Sequence, residues 1–279
     1  MLCERLDEIG KLGPKRHFIA EPKLDGQRAQ LHIAKRRAVA CYGRLGHDLL
    51  RHPGMAWLKL LDWPVRMAVL DGEICAGDGR EGIHAVLEAR QRPDDGSMSL
   101  LAFDILILEG RSLTRESWRD RRKRLEALFA ARQPPRTGLV PVSHDPAELL
   151  ETWLAWGGEG IVLKDPTSIY RPGVRSPSWL KVKPKLELSV LVTGGSATIV
   201  PWGDSGAAIT LEFSYVHPRS QMRTIVKQAV RVPRDEAFTL RVGQEAELLC
   251  WGVMPSTLLR HPQFVRWVEP GQQLKSFPK

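Results

Sequence analysis

Residues 21–28 read EPKLDGQR, in which Lys23 stands two residues before an Asp-Gly turn and Arg28 opens the next segment. Residues 28–33 then alternate in the way that predicts a half-buried strand. Taken alone, the eight residues fit a solvated turn between two strands about as well as a reactive site, because Asp-Gly is a common hairpin signal. The interpretation of Lys23 therefore depends on what the rest of the chain places around this turn.

Five further motifs follow, and their order and spacing carry more information than any one of them. They are CYGRLGHD (41–48), LDGE (70–73), FDILIL (103–108), EGIVLK (159–164) and WLKVKP (179–184). Together they resemble the covalent nucleotidyltransferase superfamily, which comprises DNA ligases, RNA ligases and messenger-RNA capping enzymes. The chain looks most like small bacterial ATP-dependent DNA ligases along essentially its whole length. The stretch LRHPQF (259–264) is similar to the barrel end of bacterial end-joining ligases.

This resemblance implies an α+β fold: an adenylation (nucleotidyltransferase) domain of antiparallel sheets and flanking helices in residues 1–184, then a small OB-type β-barrel in residues 185–279. The residue patterns agree. Residues 99–108 form a nearly continuous apolar run that predicts a strand, and residues 114–129 predict an amphipathic surface helix. A second helix is predicted from Asp145 to Gly157, with Asp145 as N-cap, Pro146 at the first position and Glu148 completing a capping box.

Beyond Pro184 the pattern changes to short strand candidates with no long helix. The candidates are residues 188–193, 207–213, 223–232 and 245–251, separated by Gly, Pro, Asp and Ser. Several short strands at this spacing are typical of a small β-barrel. We expect a hinge between the two domains near residues 184–188.

Composition narrows the classes of partner. The formal net charge is +9 and the sequence pI is about 9.6, which favours a polyanion such as nucleic acid. Hydrophobic residues at 43% and charged residues at 26% are typical of a globular protein rather than a disordered or membrane one. The four cysteines lie far apart, without zinc or disulfide-scaffold spacing, and no signal peptide or membrane span is evident. We therefore expect a cytoplasmic protein.

Lys23 is the expected nucleophile. A lysine amine attacks phosphorus only when neutral, so a nucleophilic lysine needs burial or neighbouring cations to lower its pKa. In the family that the motifs resemble, the matching lysine attacks the α-phosphate of ATP, expels pyrophosphate and holds AMP as a phosphoramidate. In WLKVK, a period of two places Lys181 and Lys183 on one face of a strand and the apolar Leu180 and Val182 on the other. A solvated edge strand would alternate in the same way, but the position after EGIVLK favours phosphate binding.

The resemblance also implies the remaining nucleotide contacts. Lys164 would reach the nucleotide phosphate as a point charge, and Arg28 and Arg44 would bind phosphates through their planar donors. Arg44 would contact the adenylate or the 5′-phosphate of a nick. Phe103 would stack on adenine, although a phenylalanine in an apolar strand is more often a core residue. Glu21 would lie at the adenine edge.

Three carboxylates are candidates for the metal site. Mg²⁺ (Mn²⁺ is an alternative) would offset charge on the phosphate oxygens, and it prefers few carboxylates plus water. The family places the residue matching Glu73 near the ribose or the metal and the residue matching Glu159 at the metal. Asp25 would help to orient the site or the metal, but a turn-forming aspartate is nearly as good an interpretation.

The sequence thus predicts a monomeric ATP-dependent DNA ligase that acts on nicked duplex DNA, with no protein partner indicated. The alternatives are an RNA ligase or capping-type guanylyltransferase, or a nucleic-acid-binding relative without turnover. One departure affects self-adenylation: many relatives carry a basic motif after the phenylalanine matching Phe264, whereas this chain reads VRWVEPG. Arg266 is then the cation expected to stabilise the negative charge of the leaving pyrophosphate.

Overall fold

The computed structural model describes residues 1–6, 9–11, 17–183, 185–202, 206–218, 220–233, 239–254 and 256–268. The chain divides into two compact units, Met1–Lys183 and Pro184–Lys279. An α+β first unit followed by a closed β-barrel is the fold class that the sequence predicts.

Fifteen strands, four α-helices and three short 3-10 helices make up the described structure. The strands of the first unit are β1 (Leu2–Leu6), β2 (Ile19–Pro22), β3 (Gln27–Ala34), β4 (Arg37–Gly43), β5 (Met67–Ala76), β6 (Met98–Leu108), β7 (Arg111–Ser112), β8 (Thr137–Leu139), β9 (Ile161–Lys164) and β10 (Arg175–Val182). Those of the second unit are β11 (Leu186–Trp202), β12 (Gly206–Val216), β13 (Arg223–Val232), β14 (Glu245–Cys250) and β15 (Gln263–Trp267). The α-helices are α1 (Trp57–Leu60), α2 (Ile83–Ala89), α3 (Trp118–Ala131) and α4 (Pro146–Ala155), and the 3-10 helices are Ile9–Lys11, Leu49–Arg51 and Pro53–Met55.

Two sheets form the first unit. One has the strand order β1-β10-β9-β2 and the other the order β4-β3-β5-β6-β7, with β8 also paired to β6. Pairing is antiparallel except between β1 and β10 and between β6 and β8. The strands predicted at residues 28–33 and 99–108 lie in β3 and β6, so both predictions are confirmed.

The larger sheet is buried on both faces. On β5, Leu70 belongs to the main core, where it packs with residues of α1 and α3, whereas its neighbour Val69 belongs to a second core that contains Trp118 and Trp179. Adjacent residues of a strand point to opposite faces, so this split is the expected consequence of two-sided burial. The second core lies on the face that also carries the candidate site.

Both predicted helices are present. Helix α3 begins after the N-cap Ser117, and its apolar residues Trp118, Leu125, Leu128 and Phe129 are all buried, as its amphipathic pattern predicts. Helix α4 begins at Pro146, where the Asp145 carboxylate accepts from the amides of Ala147 and Glu148 at 3.0 Å.

The predicted capping box of α4 is only half made. The amide of Asp145 donates to the hydroxyl of Ser143 at 3.0 Å, which is the donor that Glu148 was expected to satisfy. Ser143 lies two residues before the cap and is nearer than a glutamate that would have to fold back over the first turn.

The charged side of α3 differs from the expectation of a solvated surface. Arg121 is fully buried and forms two 2.8 Å bonds to Asp104, the one charged residue within the apolar run of β6. A charge inside a core is tolerated only when it is paired and hydrogen-bonded. The apolar strand and the charged helix are therefore joined by a buried ion pair that the pattern of neither segment reveals.

The second unit is a closed barrel with the strand order β11-β12-β13-β15-β14. The predicted strands at 188–193, 207–213 and 223–232 lie within β11, β12 and β13, the one at 245–251 extends one residue beyond β14, and β15 was not predicted. Alternating residues such as Val190, Leu211, Val230 and Leu248 fill its interior. None of the five residues of β15 is fully buried, which agrees with the weak apolar pattern of its sequence.

No helix in the described ranges is long and apolar enough to cross a membrane. The four cysteines Cys3, Cys41, Cys75 and Cys250 all carry free thiols.

Candidate functional site

The turn that carries Lys23 joins β2 to β3 and is fixed along its length. The amide of Lys23 donates to the carbonyl of Gly160 at 2.8 Å, and the amide of Asp25 donates to the carbonyl of Gly79 at 2.9 Å. At Gly26 a Cβ would lie 2.2 Å from the carbonyl oxygen of Ile74, so only glycine lets the turn approach β5 this closely. The Asp-Gly pair therefore seats the turn against the larger sheet.

Glu159 links Lys23 to Lys183. One carboxylate oxygen of Glu159 pairs with the ammonium of Lys23 and the other with that of Lys183. Burial by itself raises the pKa of Glu159, but the two ammonium groups outweigh that effect and hold the pKa below its usual range. Glu159 is thus a buried carboxylate that stays ionised at neutral pH.

Gly160 makes this arrangement possible. It adopts a φ of +146°, and a Cβ there would lie 2.0 Å from the carbonyl oxygen of Val182. The close approach of Gly160 to β10 keeps Glu159 beside Lys183. As predicted, Leu180 and Val182 on the other side of β10 are buried, in a core with Ile161 and Leu163.

A cavity of about 150 Å³ opens beside Lys23, between the two sheets. Phe103 and Trp179 form an edge-to-face pair in its wall, with ring centroids 6.1 Å apart. Lys164 is almost completely buried there, with its ammonium 4.3 Å from the Trp179 ring centroid and 3.2 Å from the carbonyl oxygen of Phe103. The pocket thus combines aromatic surface with a buried cation.

Glu21 is a buried carboxylate in the lining of this pocket. Its Oε2 pairs with Lys164 Nζ at 2.7 Å, and its Oε1 lies 4.0 Å from Arg122 Nη1. Burial raises the pKa of Glu21, and the ammonium of Lys164 opposes that rise. Oε1 is buried and has no hydrogen-bond partner among the described residues. A buried acceptor without a donor is costly, and a ligand that brings a donor would satisfy it.

Arg28 is held in an ion pair with Asp71. Its Nε and Nη2 donate to the two carboxylate oxygens at 3.0 and 2.6 Å, and its Nη1 donates to the carbonyl of Met1 at 2.7 Å. The hydroxyl of Tyr170 donates to Asp71 at 2.8 Å and accepts from Arg28 at 3.1 Å. Arg28 lines the pocket, and its donors are engaged with Asp71, Tyr170 and the carbonyl of Met1 in this structure.

Glu73 lies where the pocket meets a wider cleft of about 1190 Å³, and both cavities are also lined by Cys3, Lys23 and Arg28. Burial raises the pKa of Glu73 to about 7, against the opposing effect of Lys23 and Arg28. Glu73 is therefore poised to change charge near neutral pH, at the junction of the two cavities.

The wider cleft is strongly cationic. Its lining includes eight lysine and arginine side chains and two carboxylates: Lys23, Arg28, Arg44, Arg51, Arg90, Arg175, Lys181, Lys183, Asp48 and Glu73. Burial lowers the pKa of Lys181, and Lys183 and Arg175 lower it further. Arg44 is exposed, on the turn after β4. A surface with this excess of positive charge suits a phosphate backbone.

Among the predicted metal ligands, Glu73 and Glu159 are electrostatic neighbours, since the charge of Glu159 raises the pKa of Glu73. Asp25 lines neither of the two cavities. Within the described part of the chain, no group of three or more His, Cys, Asp or Glu side chains could hold a metal ion by itself. Two carboxylates fit Mg²⁺ when substrate phosphates and water complete its shell.

The structure therefore gathers most of the predicted residues at one place. The residues that line only the pocket are Glu21, Phe103 and Lys164. Those that line both cavities are Lys23, Arg28 and Glu73, and those that line only the cleft are Arg44, Lys181 and Lys183. Arg266 lies on β15 of the second unit, where its Nε donates to Glu247 at 2.7 Å. Residues 269–279, where the altered C-terminal motif continues, lie outside the described residues.

Sequence reasoning missed Asp71, Tyr170, Trp179 and Arg90. Asp71 stands inside the quoted LDGE motif and Trp179 inside WLKVKP, so the motifs contained a signal for both. Tyr170 and Arg90 belong to no quoted motif, and their roles come from contacts with residues far away in the chain.

Residues 1–183 match the family model described as "ATP dependent DNA ligase domain". Among curated proteins, the chain is 32% identical over 238 residues to "DNA ligase" of Natronomonas pharaonis, covering 78% of this chain and 39% of that protein. It is 30% identical over 226 residues to "DNA ligase 4" of Yarrowia lipolytica, covering 68% of this chain and 24% of that protein. The chain thus spans well under half the length of these relatives.

Solved structures with the same fold include one described as "DNA binding with a minimal scaffold: Structure-function analysis of Lig E DNA ligases". It matches with a TM-score of 0.60 and 17% identity, over 96% of this chain and 98% of that one. A second, "mycobacterial DNA ligase D complexed with ATP and MES", matches with a TM-score of 0.57 and 23% identity, over 98% of this chain and 95% of that one. At these identities the matches show a shared fold.

Proposed function

Because this chain belongs to the ATP-dependent DNA ligase family, we propose that it seals nicks in duplex DNA through an adenylate carried on Lys23. The observation that carries the proposal is the position of Lys23, which lines both the aromatic pocket and the cationic cleft. An amine at that junction reaches a nucleotide bound on one side and a DNA end bound on the other. The relatives from Natronomonas pharaonis and Yarrowia lipolytica bear names that include DNA ligase, which supports the same activity.

The pocket suits adenine better than guanine. Phe103 and Trp179 supply aromatic surface for a base, and Oε1 of Glu21, which has no hydrogen-bond partner among the described residues, is an acceptor in the pocket lining. The exocyclic amine of adenine would donate a hydrogen bond there, whereas the carbonyl of guanine at the same place would oppose the carboxylate. A site built to bind a donor discriminates strongly against a ligand that lacks it. This favours ATP over the GTP that a capping enzyme uses.

In the first step, the neutral amine of Lys23 attacks the α-phosphorus of ATP, a P–N bond forms, and pyrophosphate leaves with the electrons of the broken P–O bond. The amine must first lose its proton and leave Glu159. Lys183 holds the other oxygen of Glu159, so that carboxylate stays in place when Lys23 turns to the phosphate. Lys164 supplies positive charge on the pocket side.

The expected metal ion is Mg²⁺, which Glu73 and Glu159 would hold together with substrate phosphates and water. When bound, it offsets negative charge on the phosphate oxygens. The raised pKa of Glu73 fits such a role, because a carboxyl that is costly to ionise alone gains from a nearby cation.

In the later steps, AMP passes from Lys23 to the 5′-phosphate of a nick, and the adjacent 3′-hydroxyl displaces AMP to form the phosphodiester. Arg44, Lys181 and Lys183 line the cleft and would hold the phosphates on either side of the break. Phosphate contacts carry no base information, so binding should depend on salt and not on sequence. We propose a monomer that works in the cytoplasm, where free thiols persist.

The test combines labelled nucleotides with defined nicks. The protein is incubated with Mg²⁺ and either ATP or GTP labelled at the α-phosphate, and then with nicked DNA, nicked RNA and hybrid duplexes. A covalent protein-AMP species and sealing of nicked DNA are the expected results. Labelling by GTP would indicate a capping-type enzyme, preferential sealing of RNA would indicate an RNA ligase, and DNA binding without labelling would indicate a relative without turnover.

A further inference from the structure

Arg90 follows the last turn of α2 and lines the cationic cleft without lining the nucleotide pocket. Ile83 and Leu87 line the same cleft, which places one face of α2 along it, since residues three and four apart share a helix face. The backbone of Arg90 is fixed, because its amide donates to Val86 and its carbonyl accepts from Gly54 at 3.1 Å. A Cβ on Gly54 would lie 2.8 Å from the Cα of Arg90, so the two segments are in close contact.

The guanidinium of Arg90 is also held in place, but by a neutral group. Its Nη1 donates to the side-chain oxygen of Gln27 at 2.9 Å. Its Nε is buried and lacks a hydrogen-bond partner among the described residues. The structure records no carboxylate paired with Arg90 within the described ranges, whereas Arg28, Arg121 and Arg136 each have one.

A fixed guanidinium that is not paired with a carboxylate suits an anion. Arginine binds phosphate through its planar N–H groups, and because Nε is buried, the terminal amines are the donors that would face the cleft. A glutamine partner orients the group without cancelling its charge. The geometry has the features of an anion site that is built in advance, which lowers the entropy cost of binding.

We propose that Arg90, oriented by Gln27, binds a backbone phosphate of the nicked duplex, a contact that rests on the proposed ligase function. Backbone phosphate is favoured over the triphosphate of ATP because Arg90 lines only the cleft, alongside the exposed Arg44 and Arg51. The contact adds affinity that does not depend on base sequence.

The experiment measures binding of a fluorescent nicked duplex by anisotropy, without ATP or metal, over a range of salt concentrations. Arg90→Ala should weaken binding by about tenfold at low salt, as expected for a lost charged hydrogen bond. It should also reduce the slope of log K against log salt by about one. Arg90→Lys keeps the charge but loses the planar edge, so it should keep the slope and lose part of the affinity.

The matched control is Arg36→Ala. Arg36 is exposed, pairs with Asp62 at 2.9 Å and does not line the cleft, so the variant loses the same formal charge elsewhere. It should keep the wild-type slope. Thermal melting of each variant establishes that it is folded. If Arg90→Ala does not fold, the affinity and salt slope of Arg90→Lys test the proposal instead.

Two results would overturn the proposal. One is a salt slope for Arg90→Ala equal to that of the wild type and of Arg36→Ala. The other is an unchanged slope with a raised KM for ATP in protein-AMP formation, which would assign Arg90 to the triphosphate. Failure of the wild-type protein to bind or seal nicked DNA would instead contradict the proposed function itself.

Discussion

Replacement of Tyr170 by phenylalanine tests whether one hydroxyl holds the Arg28–Asp71 pair at the site. The hydroxyl donates to Asp71 at 2.8 Å and accepts from Arg28 at 3.1 Å, while the Tyr170 ring packs edge-to-face against Trp179. Phenylalanine keeps the ring and its packing and removes the oxygen alone. The variant therefore isolates the polar contact.

The expected loss of stability in Tyr170→Phe follows from the burial of Asp71. Asp71 is 1% exposed, so water cannot replace the lost donor, whereas the Arg28 side chain is 23% exposed and can recover part of its loss. Hydrogen bonds to charged groups contribute about 1.5–3 kcal/mol. We expect the free energy of unfolding to fall by about 2 kcal/mol, which corresponds to a Tm lower by roughly 4–8 °C for a unit of this size.

The measurement is urea and thermal unfolding of the protein, monitored by tryptophan fluorescence. Tyr42→Phe is the control, because Tyr42 is 40% exposed and its hydroxyl makes no hydrogen bond with the residues the structure describes. A double-mutant cycle with Asp71→Asn should give a coupling energy of about 1–2 kcal/mol. If Tyr170→Phe loses no more stability than Tyr42→Phe, the hydroxyl does not hold the pair and the reasoning is refuted.

Two further predictions concern buried charges in the same unit. The native pKa of Glu73 is about 7 against an ordinary value of 4.5, set by burial and by Asp71 and Glu159 against Lys23 and Arg28. The native state therefore holds this proton more tightly than the unfolded chain, so metal-free wild-type protein should lose stability as pH rises from about 4.5 through 7. In urea unfolding at several pH values, the free energy of unfolding of Glu73→Gln should rise relative to that of the wild type by roughly 3 kcal/mol over that range. A difference between the two proteins that does not change with pH would contradict the prediction. Lys164→Met should lower the free energy of unfolding by about 3–5 kcal/mol, because it leaves Glu21 buried without its cation. Adding Glu21→Gln should restore part of the loss in thermal melts, and a double variant no more stable than the single one would argue against the pair.

The sequence predicted what depends on local periodicity. Strand β10 shows this best: alternation along WLKVK placed Lys181 and Lys183 on one face and Leu180 and Val182 in a core, and the structure agrees. The N-cap of α4 was equally predictable from the sequence, because Asp145 followed by proline is a local signal. Such features need only the residues within one turn or one strand.

The contacts that the sequence could not show depend on distant partners. Arg28 pairs with Asp71, which is 43 positions away, and with the hydroxyl of Tyr170, which is 142 positions away, while its binding of phosphate stays a prediction. In the same way, the pattern of α3 predicts that Arg121 lies on a solvated helix face, whereas in the structure it is buried and pairs with Asp104 of β6. A charge pattern along one segment cannot show which oppositely charged group the fold brings to it.

The central claim is that Lys23 carries the adenylate, and labelling of variants with α-labelled ATP tests it most directly. Lys23→Ala and the control Lys59→Ala, an exposed lysine on α1, are incubated with ATP and Mg²⁺ and then offered either an ordinary nick or one already adenylated at its 5′-phosphate. We predict that Lys59→Ala forms protein-AMP like the wild type. Lys23→Ala should form none but should still seal the pre-adenylated nick, since that last step needs positioning and not the lysine amine. Protein-AMP formation by Lys23→Ala, with the label on another residue, would contradict the assignment of Lys23 as the nucleophile.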